Sequence, residues 1–217
     1  MTETSKPYFD AIGADWDRMR SAYFSELVRD QALLVADIQP GRSAADLGAG
    51  TGFVTEALLV RGLRVVAVDQ SQPMLDALRS KFPDPQQVDC RIGDAGRLPI
   101  DHATVHYAFA NMFLHHVESP PAAIAEMFRI LKPGGRAVIT DLDSHDHTFL
   151  REEHHDRWMG FAREDVERWF TAAGFQDVKV DGLGDECCAT SCDGRRASIS
   201  IFIATGTRPQ GQAIPDR

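Results

Sequence analysis

Three groups of residues in this chain have the types and spacing to do chemistry. The first is a glycine cluster, ADLGAGTG at 45–52, in which Gly48, Gly50 and Gly52 alternate with other residues. Glycines there let the backbone turn sharply and approach a ligand closely. Asp69 stands 21 residues beyond Gly48, where a carboxylate can accept hydrogen bonds from ribose hydroxyls. The second group is histidine. His115 and His116 are adjacent, and His145, His147, His154 and His155 crowd the stretch 143–161. Imidazole is the side chain that titrates near neutrality, so His115 is the candidate general base. The third group is Cys187, Cys188 and Cys192, in DECCATSCDG. Their spacing is not a standard zinc pattern, and neighbouring cysteines do not easily form an unstrained disulfide. Three thiolates could bind a soft ion or a metalloid; a reduced loop or a redox-labile pair is the alternative.

These residues need elements to position them, and the chain alternates. Short apolar or β-branched runs at 44–47, 63–68, 88–92, 105–110, 136–142, 178–180 and 199–204 predict seven strands. Cys90 falls in one of them and reads as a small buried hydrophobe. Helical spacing runs over 23–37, then through Val54, Ala57 and Leu58, through Leu75, Leu78 and Phe82, through Ile124, Met127 and Phe128, and through Val166, Trp169 and Phe170. Ser71 and Ser119 are candidate N-caps, and Gly62 and Gly174 candidate helix ends. If 148–158 is helical, His154 and Trp158 share a face. Strands alternating with helices predict an α/β fold: a doubly wound, mostly parallel seven-stranded sheet. The last two strands have no helix between them, so they pair antiparallel. The glycine loop and Asp69 both fall at carboxyl ends of strands, where such sheets bind ligands.

The chain has 217 residues, enough for one domain. It divides into a single domain over 1–207, with a helical lid at 1–40, an acceptor-side insertion at 143–165, a cysteine-containing loop at 181–198 and a loose tail at 208–217. Thirty-two acidic residues against 23 basic ones give a net charge of −9, which disfavours a nucleic-acid partner. No apolar run reaches the length of a membrane span. The N-terminus shows no secretory pattern, and the cysteines then suggest reduced thiols in the cytoplasm. The sequence sets no oligomeric state. The loop reads G-x-G-x-G, not the G-x-G-x-x-G of enzymes that bind a pyrophosphate. Asp46, just before it, suits a cationic ligand better than a phosphate.

The ordered set YFDAIGADWD (8–17), ADLGAGTG, VVAVDQS (65–71), GDAGRLPI (93–100), ANMFLHHV (110–117) and RILKPGGRAVITDL (129–142) resembles the class I S-adenosylmethionine-dependent methyltransferases. The chain is similar to their small ubiquinone/menaquinone-biosynthesis-like, type 11 members, over 8–206. The resemblance implies a Rossmann-like methyltransferase fold, S-adenosyl-L-methionine as cofactor and a small-molecule acceptor. It implies that Asp46, Gly48, Ala49, Gly50 and Gly52 wrap the methionine part and that Asp69 holds the ribose. Gln70 and Met74 would flank the adenine, with Asp94 and Ala95 at its amino group. Asn111, Met112 and His116 would lie beneath the sulfur, and Tyr8 and Trp16 would form an aromatic lid. Packing is the alternative for Tyr8 and Trp16, and a turn for Asp94. His106 departs from the family at the start of the fourth strand, where an acid is common. No metal is assigned. The competing reading is a non-catalytic thiol- or metalloid-sensing module built on Cys187, Cys188 and Cys192.

Overall fold

The computed structural model describes residues 5–13 and 15–211. Three helices come first: α1 (Lys6–Ile12), α2 (Trp16–Tyr23) and α3 (Leu27–Val35). The periodicity over 23–37 thus covers α3 alone, because Phe24 is extended and separates it from α2. Alternation follows with β1 (Ser43–Leu47), α4 (Phe53–Val60), β2 (Arg64–Asp69), α5 (Gln72–Lys81), β3 (Val88–Ile92) and β4 (Val105–Asn111). A 3₁₀ turn at Leu114–His116 leads into α6 (Pro120–Ile130), β5 (Leu131–Leu142), α7 (Phe149–Glu153), α8 (Arg163–Ala173), β6 (Gln176–Thr190) and β7 (Arg196–Thr207).

The sheet order is β3-β2-β1-β4-β5-β7-β6. Strands β3 to β5 run parallel, and β7 pairs antiparallel with both β5 and β6. Strand pleating sends neighbouring residues to opposite faces. Ala45, Leu47, Ala108 and Ala110 pack with Ile124, Met127 and Phe170 of α6 and α8. Ala44, Val65 and Phe109 pack on the other face with Leu33 and Leu58 of α3 and α4. Helix ends follow local chemistry: Ser71 Oγ accepts from Met74 N and Ser119 Oγ from Ala122 N, and Gly174 closes α8 at φ 99°.

Three expectations are corrected. The segment 181–198 is not a loop but most of a long hairpin. Its signal is weak because β6 is largely exposed, with only Cys187 and Ala189 fully buried. That hairpin, with Phe24, Val28, Phe149 and Leu150, builds a third core under the lid. Helix α7 stops at Glu153 and His155 is left-handed (φ 60°), so His154 and Trp158 share no helix face. The tail is tied down at its start: Arg208 Nη1 donates to the carbonyls of Phe128, Arg129 and Leu131. Residues 212–217 of the expected tail lie outside the described residues.

Candidate active site

Two adjoining cavities open at the carboxyl ends of β1, β2 and β4, as the crossover point of a doubly wound sheet requires. The larger encloses about 1170 Å³, counting its open mouth. The smaller encloses about 490 Å³ beneath the lid and the hairpin.

Strand β1 carries the chain into the glycine loop, which lines the larger cavity with Gly48, Ala49 and Gly50. Gly48 has φ +66°, and a Cβ there would meet the Phe113 ring at 2.2 Å. Glycine is therefore required for both conformation and space. Gly52 begins α4 at φ 97° but does not line the cavity. Asp69, at the end of β2, accepts from Gly50 N (2.9 Å) and Ser71 N (2.8 Å). It thus holds the loop as well as facing the cavity. Asp46 accepts from Thr55 Oγ1 at 2.6 Å. Burial pushes Asp46 up to about 7 and also raises Asp69, with Thr55 and the backbone amides opposing.

Gln70, Met74, Asp94 and Ala95 line the same cavity. Asp94 Oδ1 also accepts from Gly96 N, so it forms a turn while facing the cavity. Asn111, Met112 and His116 complete the floor, with the Asn111 carbonyl held by the Thr140 hydroxyl. Met112 is left-handed at φ 49°, a conformation that costs a non-glycine residue of order 1 kcal/mol or more and clusters at functional sites. His106 lies elsewhere, hydrogen-bonded with Ser43 at the start of β1.

The lid differs in detail from expectation. Trp16 reaches the larger cavity, but Tyr8 does not; its neighbour Phe9 does, and Tyr8 faces the smaller cavity. Sequence reading also missed Arg20. It lines the larger cavity, lies over the Phe53 ring at 3.8 Å, and its Nη1 is buried without a partner. A buried guanidinium N–H facing a cavity without a partner is costly unless a ligand acceptor meets it. Arg20, Asp46, Asp69 and the glycine cradle therefore fit a nucleoside that carries a cationic centre and a carboxylate.

His115 lies in the wall of the smaller cavity and is 5% exposed. Its Nδ1 donates to Asp141 Oδ1 at 2.7 Å, which leaves Nε2 3.9 Å from Asp156 Oδ1. Asp141 is fully buried at the end of β5 and also accepts from Leu114 N and Leu142 N. The His115 carbonyl in turn accepts from Arg157 N and Trp158 N, which seats Asp156 opposite the imidazole. The sequence reading expects a histidine near neutrality. Burial alone would lower it, but Asp141 and Asp156 outweigh burial and hold it up at about 9. Burial raises Asp156 to about 6. His116 stays neutral, since burial and His115 push it well below the usual range, and its Nδ1 has no partner.

The cysteines do not converge. Cys187 is buried in the smaller cavity, Cys188 points outward against Ser198, and Cys192 Sγ donates to Glu153 on the surface. Nothing in this arrangement supports a thiol- or metalloid-sensing module.

The sheet order, with two cavities at the strand ends, is the fold that solved methyltransferases share. Residues 45–139 match the family described as a methyltransferase domain, type 11. An uncharacterized methyltransferase of Mycobacterium bovis is 40% identical over 134 residues, 62% of this chain and 51% of that protein. The demethylmenaquinone methyltransferase of Renibacterium salmoninarum is 33% identical over 136 residues, 61% of this chain and 56% of that one. The chain thus spans about half the length of these curated relatives. A solved chain from the Haloferax volcanii complex of a methyltransferase with its Trm112 activator shares the fold, with a TM-score of 0.78 at 20% identity, covering 96% of this chain and 99% of that one. Residues 45–139 thus match a methyltransferase domain, and nearly the whole chain has the methyltransferase fold.

Proposed function

We propose that the chain transfers a methyl group from S-adenosylmethionine to a small-molecule acceptor seated in the smaller cavity, with His115 as the catalytic side chain. One observation carries this reading: Met112 and His116 line both cavities, so two bound molecules would meet there. Bound S-adenosylmethionine supplies a methyl group already activated on a sulfonium. The protein's work is then to bind, orient and exclude water. Asp69 would hold the ribose hydroxyls; Gln70, Met74, Asp94 and Ala95 would border the adenine. Gly48, Ala49 and Gly50 would wrap the amino-acid end, with Asp46 at its ammonium and Arg20 at its carboxylate. Phe9 and Trp16 cover the larger cavity and present ring faces suited to a cation. Gly52 acts at one remove, by starting α4.

Holding two reactants in line can supply on the order of 7–11 kcal/mol. Asp141 fixes the Nδ1 proton of His115, so Nε2 is the nitrogen that addresses the acceptor's reacting atom. Tyr8, Phe9, Tyr23 and Phe24 give the acceptor cavity an aromatic lining. That lining suits a flat, largely apolar molecule such as a quinol or phenol, and a quinone-pathway relative agrees with it. No helix among the described residues is long and apolar enough to cross a membrane. The four free thiols support a cytoplasmic setting, and the net charge of −9 supports a partner other than nucleic acid. The test is transfer of labelled methyl from the cofactor to a panel of quinols, phenols, thiols and arsenite. Transfer to one class is expected; tight cofactor binding with no transfer to any member would overturn the proposal.

A further inference from the structure

We propose that His115, His116 and Asp156 form a binding site for one divalent transition-metal ion of the zinc class, at the junction of the two cavities. One donor atom from each residue lies within 4.8 Å of the other two. Three independent features point to an ion rather than to a chance cluster.

The first is orientation. His115 gives Nδ1–H to the buried Asp141 carboxylate, so Nε2 is the nitrogen left to face Asp156, and an ion there would displace its proton. A carboxylate holding the far nitrogen of a ligating histidine is the usual outer support of a metal site. The second is His116, whose Nδ1 is buried and meets no hydrogen-bond partner. The third is Asp156. Its carboxylate is in a residue only 5% exposed, and its nearest charged neighbour is His115 Nε2 at 3.9 Å, beyond hydrogen-bond reach. One imidazole nitrogen from each histidine and a carboxylate oxygen are thus gathered within 4.8 Å of one another.

Zinc–ligand distances of about 2.0–2.1 Å place donor atoms about 3.4 Å apart, so the 3.9 Å His115–Asp156 separation would close by about 0.5 Å and the other pairs, within 4.8 Å, by up to about 1.4 Å on binding. Two histidines and one carboxylate are also the ligand set of catalytic zinc sites that keep a fourth position open. His115, His116 and Asp156 all line the smaller cavity, which Tyr23, His154 and Cys187 also line.

The role of the ion rests on the proposed function, although its binding does not. An acceptor hydroxyl or thiol entering the cavity would take the fourth position. Its oxygen or sulfur would bond to the ion and its proton would pass to water, leaving an anionic nucleophile at the junction. The acceptor class is then a phenol, enol or thiol, and His115 acts on the reacting atom through the ion.

The test uses the full chain without an affinity tag, stripped by a chelator and titrated with Co²⁺ in the absence of cofactor and acceptor. One equivalent should bind and give the strong visible absorption of a four-coordinate ion, and Zn²⁺ should displace it. Asp156→Asn and His116→Ala should each weaken binding at least tenfold while the circular dichroism and the melting temperature stay native-like. Cys192→Ser, on the surface, should leave it unchanged. Failure to bind one equivalent, or binding that survives both Asp156→Asn and His116→Ala, overturns the site. If stripped protein still transfers labelled methyl at full rate, the ion's role falls while the methyltransferase reading stands.

Discussion

Asp17, in the second helix, accepts a hydrogen bond of 2.5 Å from the Thr51 hydroxyl, in the glycine loop. The lid is thereby fastened to the cradle it covers. Lys81 reinforces the fastening by donating to both the Asp17 carboxylate and the Thr51 carbonyl. Asp17→Ala removes both the Thr51 bond, typically about 1 kcal/mol, and the exposed Lys81 pair, which adds little. Cofactor affinity should fall about fivefold, and Trp16 should become more accessible to a fluorescence quencher. Unchanged affinity and quenching would show that the lid is held by its aromatic contacts alone.

Asp69 accepts from two backbone amides that shape the site, in addition to lining the larger cavity. Asp69→Ala should weaken cofactor binding by roughly 1.5–3 kcal/mol, the range for hydrogen bonds to a charged group. Calorimetry that returns an unchanged affinity would remove Asp69 from the cofactor site.

Gly48 and Gly41 are both left-handed, at φ +66° and +78°, but they differ in space. A Cβ at Gly41 meets nothing within 4 Å, whereas at Gly48 it enters the Phe113 ring. Gly41→Ala should cost only the backbone strain, of order 1 kcal/mol. Gly48→Ala adds overpacking of roughly 1–3 kcal/mol. Gly48→Ala should therefore melt several degrees below Gly41→Ala and bind cofactor poorly; equal melting points would contradict the Phe113 contact.

Arg20 carries a buried N–H that meets no acceptor among the described residues. Arg20→Met keeps much of the packing on Phe53 and removes the stranded donor. The variant should melt no lower than the parent, yet bind cofactor about tenfold more weakly, as expected for loss of a charge-assisted bond of about 1.5 kcal/mol. A lowered melting point with unchanged affinity would make Arg20 a structural residue.

Asp46 gives a pH dependence with a definite sign. Burial raises its carboxyl to about 7 in the folded chain, against 3.8 for a free aspartate side chain. The folded state therefore binds the proton more tightly, so this group's contribution to stability falls as pH rises from about 4 to 7. A cationic ligand favours the ionised form. Cofactor affinity should rise about tenfold from pH 6 to pH 8 as the ionised fraction grows, and Asp46→Asn should flatten the profile. A flat parent profile would separate Asp46 from the cofactor's cationic groups.

Much of the fold was legible because its signals are local. The apolar runs, the glycine loop and the Ser71 and Ser119 caps each depend on a few neighbouring residues. The site was legible where strand ends deliver residues directly, as for Asp46, Asp69 and Asn111. It was less so where a helix decides which side chain turns inward. Tyr8 and Phe9 are adjacent, and a rotation of about 100° per residue brings Phe9 into the larger cavity as well as the smaller one while Tyr8 reaches only the smaller. The His115–Asp141–Asp156 group is assembled from three distant segments and left no contiguous pattern. Its one available sign was Asp141, an acid inside an otherwise apolar β5 end, beside the strand that leads to His115. The hairpin hid for a different reason: alternation is faint when the inward positions are small, as Cys187, Ala189 and Ala197 are.

Phe9, Trp16 and Phe24 belong to the walls of both chambers. One partition therefore serves two tenants. A change to any one of these rings would reshape both chambers at once.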